Sequence, residues 1–263
     1  MDVLLRLAAG ATVCVSFACS PAPAPIRQGT QASAAPDVVT ITVDSVWREG
    51  DQVAVAYHVA LGQPWQGKMI AFLIQPGVPL QSIGSVAPDH WLDRKATYDG
   101  RNTIEWAAFD SEDQLGAGQA LSGFVMKSRS ILGAVPFLVE RDEPAALTSE
   151  EQLGDSVKIT PVWARGSGGT VLGPIAPLPA SPADRASQLA DDITSWCAAD
   201  TSVPHGICQS LSNKAAAVQS AAGTPNLDQP VRVFRAELDA QRGKHVIESV
   251  YWRLVADLLM VAP

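Results

Sequence analysis

The sequence predicts an antiparallel β-sandwich of immunoglobulin-like type followed by a small C-terminal helical bundle, and three observations predict it. Over 37–165 apolar residues recur with period two, which puts one face of each strand in a core. From Ser181 onward the period becomes 3.6. Between the two lies GSGGTVLGPIAPLPASP, Gly-rich and then Pro-rich, which reads as a linker over 166–182. At 263 residues, 47% hydrophobic and 17% charged, the chain is long enough for two domains with real cores, here 37–165 and 183–263.

Taken in order, the first residues carry Arg6 and then an apolar run over 7–18 that is too short to span a bilayer, so 1–18 reads as a signal peptide. Ser16-Phe17-Ala18 offers small residues for ordinary cleavage. Cys19, directly after Ala18, instead resembles a bacterial lipoprotein box, with Ser16 where that box usually has Leu. Cys19 is therefore the candidate lipidation residue. The stretch 19–36, CSPAPAPIRQGTQASAAP, has almost no side chains to bury and reads as an extended tether. The expected location is the bacterial cell envelope, as a membrane-anchored lipoprotein, or outside the cell by secretion.

The strands follow. Val39, Ile41, Val43, Ser45 and Trp47 alternate with Thr40, Thr42, Asp44 and Val46, and Val53, Val55, Tyr57, Val59 and Leu61 alternate with smaller or polar residues. REGDQ, at 48–52, centres Gly and Asp between the two runs, so they form a hairpin. Further β-rich runs at 69–74, 103–109, 121–127, 134–140 and 157–164 bring the count to about seven, as a sandwich requires. A parallel sheet would need crossover helices, and no helical period separates these runs. Trp47, Trp106 and Trp163 fall on strand runs and are expected in the core.

In the helical part, Ser181-Pro182-Ala183-Asp184 supplies a cap, a first-position proline and a carboxylate beside the free amides. Ala186, Leu189, Ala190, Ile193 and Trp196 or Cys197 form the first buried stripe. After Pro204 the second has Ile207, Leu211, Ala215, Val218 and Ala222, and Gly223-Thr224-Pro225 ends it. A third helix over about 228–242 turns Val231, Phe234 and Leu238 inward and stops at Gly243. The last uses Ile247, Val250, Tyr251, Leu254, Leu258 and Val261. Four helices with short connections predict a compact bundle. Cys14 would leave with the signal peptide and Cys19 would be acylated, leaving Cys197 and Cys208 to pair in an oxidising compartment. The end of one helix and the start of the next would bring both sulfurs to one side of a turn; the alternative is two buried thiols.

The net charge of −8, from 19 basic and 27 acidic residues, argues against a nucleic-acid partner, which needs clustered Lys and Arg. Losing 1–18 removes one acid, Asp2, and one base, Arg6, so membrane attachment would rest on acylation rather than on charge.

The stretch GICQSLSNKAAAVQS…LDQPVRVFRAELDAQRGKHVIESVYWRLVADLL, about 206–261, resembles the FIMAH domain, a helical module at the C-terminus of many bacterial exported and surface proteins. Phe234, Leu238 and then Ala240-Gln241-Arg242-Gly243-Lys244-His245 carry the resemblance most specifically. Arg235-Ala236 departs from the more apolar continuation usual in that family. The resemblance implies an exported architecture with a helical C-terminal cap, and it implies no catalytic residues.

Other groupings read as structural. His90, with Asp89 and Asp93, has no second His at ligand spacing, so no metal site is expected. Asp110, Glu112 and Asp113 lack the alternating acceptors and closing Glu of a calcium loop. His58 falls on the polar side of its strand, and Lys244-His245 sits at a helix end. Arg232, Arg235 and Arg242 are interleaved with Asp228, Glu237 and Asp239 as a mixed solvated face. No Gly-x-Ser-x-Gly, His-Glu-x-x-His or Cys-x-x-Cys string occurs. The glycines of 166–169 lack the Gly-Lys-Ser/Thr ending of a phosphate loop.

The chain is accordingly expected to be a non-enzymatic, lipid-anchored binding or scaffolding protein with an unidentified protein or glycan partner and no cofactor. Two alternatives stand beside it. One is a hydrolase whose site the sequence does not display. The other is a carbohydrate-binding module using the loop tryptophans Trp65 and Trp91 as a ligand surface.

Overall fold

The computed structural model describes residues 39–63, 65–142, 163 and 166–261. Among them run β1 (Val39–Glu49), β2 (Gln52–Leu61), β3 (Met69–Ile74), β4 (Ile83–Val86), β5 (Trp91–Tyr98), β6 (Arg101–Ala108), β7 (Ala120–Ser128), β8 (Ser130–Arg141) and β9 (Ser167–Pro177). The helices α1 (Pro182–Ala199), α2 (His205–Ala221), α3 (Asp228–Gln241) and α4 (Glu248–Val261) follow. The expected signal peptide, Cys19 and the tether lie outside the described residues, as does the 157–164 strand except for Trp163.

The strands form two antiparallel sheets, ordered β1-β2-β7-β4 and β5-β6-β3-β8-β9. This is an immunoglobulin-like sandwich, because β1, β2, β7 and β4 stand where strands A, B, E and D stand, and β3, β8 and β9 where C, F and G stand. The hairpin β5–β6 is inserted between D and E and extends the second sheet beyond C. Asp99 and Gly100 turn that hairpin with both φ positive, 53° and 76°, the conformation of a type I′ turn. Tyr57 joins the sheets: its buried hydroxyl donates to the Leu172 carbonyl at 2.7 Å. Burial pushes that phenol well above its usual range. Phe72 stacks on Trp106 at 5.2 Å and meets Tyr57, Phe124 and Phe137 edge-on.

Several sequence expectations are corrected. Most of the 166–182 linker is β9, paired with β8 from Ser130↔Pro177 to Val139↔Ser167. Its Pro174 and Pro177 are tolerated because β9 is an edge strand. Its glycines serve close packing, since a Cβ on Gly169 would lie 2.8 Å from the Phe137 ring. The described strands number nine, because β4, the solvent-facing β5 and β9 join the six sequence-read strands that lie within the described residues. A bulge between Val43 and Ser45 shifts the register of β1, so Val46 enters the core and Trp47 is only half-buried. Trp163 is half-buried too, its indole donating to Thr103 Oγ1 at 3.2 Å.

The helices begin and end close to where the sequence places them. Ser181 Oγ accepts the Asp184 amide at 3.0 Å, a proline opens α1, and Gly243 follows α3 at φ 68°. Cys197 and Cys208 form a disulfide with Cα atoms 5.9 Å apart. The packing departs from a separate bundle. Helix α4 touches α1 and α3 but also lies against β1, β2, β8 and β9, covering the side where the edge strands β1 and β9 approach each other. Tyr251, Trp252, Leu254, Val255, Ala256, Leu258, Met260 and Val261 are all buried, so the helix is apolar nearly all round. Sandwich and helices share one hydrophobic core within the compact unit Ser33–Pro263. Ile247, expected inside, precedes α4 and is exposed.

Candidate functional site

Antiparallel register brings the β2–β3, β4–β5 and β6–β7 connections to one end of the sandwich. Met69 N–H donates to Leu115 O at 2.7 Å, and Phe109 N–H donates to His90 O at 2.9 Å, which holds the three together. On β5, Trp91 points inward opposite Ala108, so Leu92 points outward opposite Ala107. Phe109 continues the outward face. Leu92 is 54% exposed and Phe109 67%, the highest values among the described large apolar residues. His90 adopts φ 64°, an uncommon conformation for a residue other than glycine. Its Nδ1 lies 4.0 Å from Asp113 Oδ1. Asp110 Oδ1 accepts the Glu112 amide at 2.8 Å and shapes the acidic loop. Lys68 Nζ donates to the Ser111 carbonyl at 2.7 Å.

The two tryptophans expected at a ligand surface are inside instead. Trp65 is 4% exposed, with the Arg141 guanidinium 4.9 Å above its ring. Trp91 is 6% exposed and packs edge-on against Phe124 at 5.2 Å. Neither presents a face for a sugar. The exposed apolar pair is Leu92 and Phe109, which the sequence reading did not single out; Phe109 shares strand parity with Thr103 and Glu105, and that signal marks it as outward.

His58 does meet a serine and a carboxylate on the outer face of the first sheet, but in an unproductive order. Ser122 Oγ–H donates to Asp44 Oδ2 at 2.8 Å, and His58 Nδ1 lies 2.8 Å from Ser122 Oγ. With its one proton committed to Asp44, the hydroxyl accepts from His58 Nδ1–H. Serine thus sits between His and Asp, whereas a nucleophilic triad needs His between the other two.

Two further clusters centre on buried carboxylates. On the outer face of the second sheet, Arg94 Nε and Nη2 each donate to Glu105 at 2.6 Å, and Tyr98 OH donates to the same carboxylate. Burial, reinforced by that bond, pushes the Tyr98 phenol up to about 12. Between α1 and α4, Arg253 grips Asp192 at 2.9 and 2.5 Å, and Gln188 Nε2 donates to Asp192 at 2.9 Å. Burial first, and the neighbouring Asp192 carboxylate second, push Asp257 well above the ordinary carboxylate range. Both acids are under one-tenth exposed.

An open cavity of about 440 Å³ at the α1–α2 turn is lined by the disulfide, Thr201, Val203 and His205 among others. A second, of about 310 Å³, lies between α3 and α4 beside Arg232 and Leu259. Among the described residues no three His, Cys, Asp or Glu converge as a metal set, and no helix is long and apolar enough to cross a membrane.

The class that fold and surface define is an immunoglobulin-like sandwich with a helical C-terminal part docked on its open side. No family model matches the chain, and no curated protein matches it. Among solved structures it is similar to an uncharacterized protein from Nocardia farcinica, described as having an immunoglobulin-like fold, at 16% identity and a TM-score of 0.29. That alignment covers 51% of this chain and 96% of the other. The fold assignment rests on the strand order given above.

Proposed function

We propose that this chain is an exported, lipid-anchored binding or scaffolding protein of the bacterial cell envelope, without enzymatic activity. The observation that carries the reading is the Cys197–Cys208 disulfide, because such bridges form and persist in oxidising compartments outside the cytosol. Three features of the sequence support it: the apolar run ending at Ala18, Cys19 directly after it, and the Pro- and Ala-rich 19–36 tether. The resemblance of the last helices to the FIMAH domain points the same way. Acylation of Cys19 would hold the body at the membrane through lipid alone, since the net charge of −8 gives anionic lipid no attraction.

Metabolic labelling with a fatty-acid probe tests the anchor. The wild-type chain takes up label and Cys19→Ser does not; equal labelling of both removes the anchor from the account.

A further inference from the structure

We propose that the end of the sandwich bearing Leu92 and Phe109 is a docking surface for a polypeptide segment that is both basic and apolar. The proposal rests on the binding-module reading and names the chemistry of its partner. Register places Leu92 and Phe109 on one outward face: Leu92 stands opposite Ala107, and Phe109 bonds to the residue opposite it, His90. Residues diagonal to one another across an antiparallel pair lie about 7–8 Å apart, so an aromatic side chain reaches its diagonal neighbour. Together they make a small apolar platform on the rim of a rigid core, with Trp91 directly beneath in contact with Phe124. Exposed apolar side chains clustered in this way, rather than scattered singly, mark interaction sites.

The charge around the platform selects the partner. Asp89, Asp110 and Glu112 are exposed, with Asp113 half-buried behind them. No ion pair occupies the carboxylates of Asp89 and Glu112 among the described residues. The cations near the platform are engaged: Lys68 by the Ser111 carbonyl, Arg141 by the Trp65 ring, and Arg94, next to Leu92 on the same face of β5, by Glu105. A second copy of this chain would set like charges against each other, at −8 per molecule, and opposed like charges disfavour association. A partner segment alternating Lys or Arg with aliphatic or aromatic side chains instead satisfies both features. Its apolar residues cover Leu92 and Phe109 while its cations meet Asp89, Asp110 and Glu112. The left-handed backbone at His90 fixes the angle between this loop and β5, so the platform is held in place before the partner arrives.

The test titrates the full chain with three short synthetic peptides, alternating Lys with Leu, Glu with Leu, and Lys with Ser. The Lys/Leu peptide binds the wild type, and its affinity falls at least about tenfold in the double variant Leu92→Ser, Phe109→Ser, a loss typical of removing the central contacts of an interface. It also falls in Asp89→Lys, Glu112→Lys, and on raising salt, as exposed charge pairs require. Unchanged melting temperatures show that each variant is folded, which exposure of all four side chains predicts. Retained affinity in both double variants overturns the proposal, as does equal binding of the Glu/Leu peptide or no binding of the Lys/Leu peptide. A parallel capture from envelope extract separates the two readings. A partner held equally by wild type and by Leu92→Ser, Phe109→Ser sinks this surface and leaves the binding module standing, whereas no partner on the wild type removes both.

Discussion

Replacing both Cys197 and Cys208 by Ala removes a bridge that closes a loop between residues 11 apart. In the chain-entropy model a loop of about a dozen residues stabilises by about 3 kcal/mol, through fewer conformations in the unfolded chain. In a protein of this size each kcal/mol moves the melting temperature by roughly 2–4 °C, so the expected fall is roughly 6–12 °C. The location of that fall matters as much as its size. The bridge joins α1 to α2, and α1 holds α4 through Asp192–Arg253 and through Arg185 Nη1, which donates to the Met260 carbonyl at 3.1 Å. Because α4 is also packed on the sandwich, the loss is transmitted to the whole transition and not only to the helices. Differential scanning calorimetry of the variant, and of the wild type with and without reductant, reads this directly. A shift below about 2 °C would refute the entropic reasoning, and a low-temperature transition confined to helix signal would refute the shared core.

Two further predictions concern the buried acids. Arg253→Ala leaves Asp192 charged and unpaired in a site under one-tenth exposed, and should cost about 3–5 kcal/mol by urea denaturation; a loss under about 1 kcal/mol would show that water reaches the carboxylate. Asp257 has a folded-state pKa above its unfolded value of about 4, so between those two values the folded state holds the extra proton and stability declines as pH rises. Asp257→Asn keeps a donor toward Asp192 and removes that decline. Denaturation midpoints across pH should therefore flatten above about pH 4 in the variant, and slopes identical to wild type would contradict the assignment.

Much of the helical part was legible because local chemistry decides it. Ser181, Pro182 and Asp184 mark a start that depends on neighbours within one turn, and Gly243 marks a stop for the same reason. The two cysteines were legible as a pair because only the turn between two helices separates them. What failed were readings that depend on tertiary context. Gly168, Gly169, Pro174 and Pro177 spell a linker by composition, yet an edge strand tolerates the prolines, and Phe137 requires a glycine beneath it. β5 was missed because four of its residues, Leu92 to Lys95, face solvent, although the Asp99-Gly100 pair after it is a strong hairpin signal. Trp65 and Trp91 lie beside turn residues, but Arg141 and Phe124 cover them, and sequence spacing carries no trace of either contact. The same limit hid the docking of α4. Its run VADLLMV is, Asp257 apart, apolar on every side, which fits a helix packed on two faces better than one in a four-helix bundle with a wet side.

Helix α4 belongs to the core of the sandwich as much as to the helices. Native-state hydrogen exchange tests this most directly. Amides of Leu254 and Val255 in α4 and of Val55 and Tyr57 in β2 should open only with global unfolding, giving the same exchange free energy and the same denaturant dependence. Exchange of the α4 amides through a separate opening, several kcal/mol below that of β2, would contradict the claim.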